Sequence, residues 1–257
     1  MTVDTPGPAP FGPVDLTEGE RRTVVLGDLN LEVERYSDEV RIRSWITGDA
    51  PDPDGWVRWA VETNERLRLV PATPDRLVVV SPEHAFHLPP RGTARIFMRL
   101  PLFLRVRVEA ASGRDTVLAD LPSMVLSDTW WGTLAEGELG YWVTTRARRA
   151  LSDDLFVPHY AMSSLVLTND SAESLPVERL AVRVRHLGLF HDGPRLWTGE
   201  TLVRYESPSL GSEIRFTGMP PGVAGHARTL GPPRDPLAGG FHARTFQRLK
   251  SLSNLGF

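Results

Sequence analysis

The chain has 257 residues, of which 41% are hydrophobic and 24% charged, with a formal net charge of −3. That apolar share supplies a core and excludes a disordered chain, and the slightly acidic balance lacks the basic excess of a nucleic-acid binder, so no nucleic-acid partner is expected. The sequence has no cysteine, which excludes disulfides, thiolate nucleophiles, cysteine-held iron–sulfur clusters and Cys-type zinc sites.

Residues 1–19 read as a disordered lead-in, because Pro6, Pro8, Pro10 and Pro13 oppose regular pairing. The segment has neither the basic nor the apolar region of a signal peptide. The longest apolar stretch, 96–108, is interrupted by Arg99, Pro101, Arg105 and Arg107. It falls short of the roughly 20 apolar residues of a membrane helix, so a cytoplasmic, non-membrane-embedded protein is expected.

Order is predicted from about Arg22. Strands at 23–26 and 29–34 flank the turn Gly27-Asp28, and 40–46 alternates apolar residues with Arg41, Arg43 and Trp45. Further strands follow at 67–70, 77–80, 94–100, 102–109, 116–121 and 138–144, the last leading into the basic run Arg146, Arg148, Arg149. A second series starts near Phe156, with strands at 160–167, 177–186, 196–197, 201–205 and 213–217. Helix-period segments of crossover length are missing, which argues against a parallel sheet. The predicted fold is all-β: two antiparallel β-sandwich-like domains, 20–150 and 151–232, then a linker end and a short C-terminal helix within 233–257. Residues 218–240, rich in Gly and Pro, read as a linker, and 241–252 as a helix that docks through Phe241, Phe246 and Leu249.

No catalytic signature is present. His84 and His87, three apart on a strand, point to opposite faces, and the turn Asp192-Gly193 explains the neighbourhood of His191. No metal site and no cofactor are therefore expected. No G-x-S-x-G, Walker or G-x-G-x-x-G motif occurs. The arginine pairs Arg41/Arg43, Arg105/Arg107 and Arg183/Arg185 fall opposite apolar faces and read as solvated outer faces, with an anion-binding surface as the alternative.

The least ordinary stretch is 126–142. Trp130, Trp131, Tyr141 and Trp142 sit there among Asp128, Glu136 and Glu138. One reading makes the aromatics core. The other makes Asp128, Trp130, Trp131, Glu138, Trp142 and Arg146 a binding surface. Alternation sends Glu138, Gly140 and Trp142 to one face and Leu139, Tyr141 and Val143 to the other. The second set suits the core, which leaves Glu138 and Trp142 facing a groove that Gly140 keeps open and that Trp130 or Trp131 walls. Asp128 either caps the turn or anchors Arg146.

At these residues the chain resembles the uncharacterised archaeal and bacterial domain-of-unknown-function family four-three-two. The resemblance rests on 70–76 (VPATPDR), 99–106 (RLPLFLRV), 126–132 (LSDTWWG) and 137–141 (GELGY), and continues at 175–180, 196–198 and Pro233-Arg234. Phe103 stands where the family pattern has Trp, and Gly140 where cysteine is frequent. The resemblance implies no activity, and it implies an association with small-conductance mechanosensitive channels. The leading reading is a non-catalytic binding or regulatory module for a protein or small ligand. A glycan-binding or glycan-hydrolysing protein, with Asp128, Glu136 or Glu138 as acid and base, is the first alternative. A structural subunit that assembles through sheet edges, as a homo-oligomer, is the second.

Overall fold

A computed structural model of the chain describes residues 10–110, 115–207 and 211–236 and the backbone of 240–243. The all-β expectation holds. The ordered elements among the described residues are strands and three short 3-10 turns, at Asp153–Leu155, Val184–His186 and Gly222–Ala224. The chain divides into two compact units.

The described residues up to Ala72, with Pro101–Val125, form the first unit. It holds two four-stranded sheets, antiparallel throughout. One is a meander of Arg21–Leu26, Leu29–Arg35, Glu39–Ile46 and Val57–Ala60. Its first hairpin turns at Gly27, whose φ of 62° is the left-handed conformation that glycine adopts without a Cβ clash. Leu31, Val33, Val40 and Ile42 are buried, while Arg43 stands directly opposite Glu32 and its Nε donates to that carboxylate at 3.1 Å. The other sheet runs Gly12–Val14, Arg66–Ala72, Phe103–Glu109, Asp115–Pro122. Arg105 stands opposite Asp120 and bonds it at 3.2 Å. These cross-strand pairs explain two of the arginine stripes as matched ion pairs on half-buried strands.

The expected disordered lead-in needs correcting over its second half. Gly12–Val14 pairs with Leu67–Leu69 as an edge strand, and Phe11 and Val14 are buried. An edge strand tolerates Pro13, whose missing N–H costs no ladder bond on the open side. Residues 1–9 lie outside the described residues.

Thr73–Leu100 and the described residues from Leu126 onward form the second unit. A four-stranded sheet runs Ser127–Trp131, Glu138–Trp142, Leu77–Val80, Leu180–Val182. An eight-stranded sheet has Tyr160–Asn169 near its middle, flanked by Arg195–Thr198 and Thr201–Ser207. Among the described residues, Glu138–Trp142 runs parallel to Leu77–Val80, and Tyr160–Asn169 runs parallel to both of its flanking strands. The antiparallel expectation is corrected here. Parallel neighbours need a long crossover, and the chain makes these crossovers from other strands and loops instead of helices. The cuts between units fall at 72/73, 100/101 and 125/126 and not near 150. Leu77–Val80 pairs with Glu138–Trp142 on one side and Leu180–Val182 on the other, so one sheet draws strands from both sequence-predicted domains.

Two further expectations change. The strand predicted over 177–186 is broken into Leu175–Val177, Leu180–Val182 and the 3-10 turn Val184–His186. The linker predicted over 218–240 belongs to the fold: Arg228–Gly231 pairs with Leu189–Asp192 at the edge of the large sheet, and Ala224 is buried in a cluster with Phe97, Met162, Phe190 and Trp197. The helix predicted from residue 241 is a strand at its start, since Gly240–Ala243 pairs with Ser212–Arg215. The rest of that helix, 244–252, lies outside the described residues.

Candidate functional site

The hairpin Ser127–Trp131/Glu138–Trp142 carries the residues singled out in the sequence. Its register sets Trp130 against Leu139, Trp131 against Glu138 and Asp128 against Tyr141. Opposed residues share a face, so the six candidates separate. Asp128 and Trp130 lie on one face with Leu139 and Tyr141. Trp131, Glu138 and Trp142 lie on the other. Arg146 is exposed beyond the end of the hairpin.

Both faces are covered over the centre of the sheet. Leu77–Val80 is buried at all four positions. Val78, Val80, Leu180 and Val182 join the main core of this unit, and Leu77, Val79, Trp131 and Ala181 form a second cluster against which Trp142 packs. Trp131, one of the two tryptophans of which either was expected to wall an open groove, is only 3% exposed. Gly140 does not hold a groove open either. A Cβ there would lie 2.8 Å from the Leu77 carbonyl oxygen and closer still to the Leu77 side chain, so Leu77 already fills the space. The signal for this two-sided burial is the unbroken apolar run Leu77-Val-Val-Val80, which lacks the alternation of a one-sided strand.

On the face of Trp130 and Leu139 the covering stops toward the hairpin tip. Trp130 is 49% exposed and its cross-strand partner Leu139 is 44% exposed, although parity had suggested core for Leu139. Leu134, at the tip, is 96% exposed and escaped notice in the sequence. The turn holds the patch in shape. The Trp130 Nε1 donates to the Thr133 carbonyl at 2.9 Å, and the Thr133 hydroxyl accepts from the Glu136 N–H at 3.1 Å. Gly132 has φ of 115°, and the indole of Trp130 lies where a Cβ on Gly137 would sit. The missing Cβ of Gly137 thus lets a large aromatic pack against its own turn.

Between patch and core runs a polar belt. The Tyr141 hydroxyl donates to Asp75 Oδ1 at 2.8 Å, and burial, then the Asp75 carboxylate, push the phenol from its ordinary 10.0 up to about 12. The Arg76 guanidinium lies 5.2 Å from the Tyr141 ring and donates to Asp128 Oδ1 at 3.0 Å. Asp128 therefore anchors Arg76 instead of Arg146. On the other face Arg183 grips Glu138 with two donors. Arg185, in the 3-10 turn, donates to the Asp75 carbonyl at 2.6 Å and to Asp235, whose carboxyl it holds below the usual range. A cavity of about 260 Å³ opens among Asp75, Arg76, Glu138, Arg183, Arg185 and His186. Each of its guanidinium groups is matched by a carboxylate.

Asp128 and Glu138 thus sit on opposite faces of one sheet, each bound by an arginine, and do not flank a common cleft as the two carboxyls of a glycosidase must. Among the described residues no group of three or more His, Asp or Glu is placed to hold a metal ion, and no helix is long and apolar enough to cross a membrane.

No curated protein and no solved structure matches the chain. A family model does match, over residues 10–250, and that span takes in both sheets of the first unit, the hairpin with its belt, and the large sheet. The chain belongs to the family described as protein of unknown function (DUF432).

Proposed function

We propose that this chain is a non-catalytic binding module whose contact surface is the tip of the hairpin Ser127–Trp131/Glu138–Trp142, and that its partner is a protein. The observation that carries the reading is the exposed cross-strand pair Trp130–Leu139 with Leu134 beside it at the tip. Aromatic residues held rigid in a partly exposed patch are the usual anchors of protein interfaces. Here the indole is fixed by its bond to Thr133, so little side-chain freedom is lost on binding. Ser127–Trp131 is also the edge strand of its sheet, which offers backbone donors and acceptors to an added strand. The polar belt of Asp75, Arg76, Asp128 and Tyr141 supplies a charged rim.

Alternate burial along the strands of the first unit supports a sandwich of its two sheets, which leaves that unit as scaffold in this reading. The test is a comparative capture from native lysate by the wild type and by Trp130→Ala/Leu139→Ser, with thermal melts alongside. The reading expects a protein retained by the wild type and lost by the variant at nearly unchanged melting temperature. Equal retention by both would place the binding surface elsewhere.

A further inference from the structure

A second cavity lies in the same unit, apart from the residues of the hairpin. Its volume is about 420 Å³, within the range of small-molecule sites. Phe86, Ile96 and Ala147 give it apolar walls, and Glu83, Arg148 and Arg149 bring charge to it. The walls are tied to one another. The Ala147 N–H donates to the Ser81 carbonyl at 2.9 Å and the Glu83 N–H to the Ala147 carbonyl at 2.8 Å. Arg148 exchanges two backbone bonds with Phe97, at 2.7 and 2.8 Å. The backbone around the cavity is therefore held by ladders before any ligand binds, which limits the ordering cost to the side chains.

The two arginines differ. The Arg148 guanidinium is occupied, with Glu83 at 3.2 Å and Asp154 at 2.8 Å. Arg149 is exposed and, among the described residues, has no carboxylate partner; its guanidinium lies 5.5 Å from the centroid of the Phe86 ring. An uncompensated guanidinium over an aromatic wall, beside a cavity with apolar walls, matches a molecule with an apolar body and one anionic end. Arg148 and its two carboxylates add a net negative charge on one side, which disfavours a polyanion.

We propose that this cavity binds a small amphipathic carboxylate, with its apolar body on Phe86, Ile96 and Ala147 and its carboxylate on Arg149. The site is independent of the protein-binding surface, and either can fail without the other. The test uses the whole chain and octanoate, followed by nuclear magnetic resonance, with 1-octanol as the uncharged control. The expected result is saturable binding with shifts at Phe86 and Ala147, at least about tenfold weaker for 1-octanol and about tenfold weaker for octanoate on Arg149→Gln, the loss of one charge-assisted contact. Arg149 is exposed, so the variant should fold as the wild type does. The proposal is overturned if octanoate does not saturate by about 10 mM, if its shifts spare Phe86 and Ala147, or if Arg149→Gln or 1-octanol binds as octanoate binds the wild type.

Discussion

Trp130 and Trp131 are neighbours with opposite fates, and the pair shows what a residue-level reading could reach. Alternation dictates that one points to each face. It does not say which face is open, because both faces of Leu77–Val80 are covered. Trp131→Ala empties a buried site and should lower stability by about 3–5 kcal/mol. Trp130→Ala should cost about 1 kcal/mol or less, since half the indole is already in water. Denaturant midpoints of the two variants check the difference, and equal losses would refute the assignment of faces. Tyr141 offers a pH signature. Its phenol holds its proton more tightly in the folded chain, at about 12, than its ordinary value of 10.0. Its contribution is therefore fully present below pH 10 and is lost as pH rises through 12. Tyr141→Phe should flatten the fall in stability over that window, measured as melting temperature against pH. A parallel curve for wild type and variant would contradict it.

At the scale of elements, the hairpin around Gly27-Asp28 and the strands 40–46 and 102–109 were legible because their alternation is clean and each has one covered face. The stretch 177–186 alternates as well, yet the 3-10 turn at Val184–His186 ends the strand, and no local residue announced it. Composition misled at 218–240, where Gly and Pro suggested a linker but an edge strand, which tolerates both, was formed. Asn169 illustrates a feature invisible to patterning. Read as a turn residue, it is fully buried, and its Nδ2 donates to the carbonyls of Leu88, Pro89 and Glu173 at 2.9, 3.1 and 2.8 Å. Its Oδ1 accepts from Ser171 at 2.7 Å. One side chain thus clasps the turn before Thr93–Pro101 to the end of Tyr160–Asn169. Asn169→Ala removes the amide's bond to the buried Leu88 carbonyl along with the two beside it and should cost roughly 1–3 kcal/mol. Asn169→Asp keeps the acceptor but loses the donors and should lose a similar amount; a melt of either variant equal to the wild type would show that the clasp adds nothing.

The whole molecule was legible as all-β, and through the stretches at 70–76, 99–106 and 126–141 as a member of its family, which spans residues 10–250. Its partition into units was not legible, because strand spacing is a local quantity and sheet membership is not. Leu180–Val182 takes its partner from Leu77–Val80, about a hundred residues earlier. A fragment of residues 151–257 should therefore fail to fold alone, with no cooperative melt, whereas independent folding of that fragment would restore a boundary near 150. The central claim is that the hairpin tip meets a protein partner, and its most direct measurement is photo-crosslinking from a benzoylphenylalanine placed at Leu134, in the cell of origin. The account expects one discrete adduct with another protein that disappears when Trp130→Ala is added to the same chain. No adduct, an adduct indifferent to Trp130→Ala, or an adduct with a second copy of the chain would contradict it.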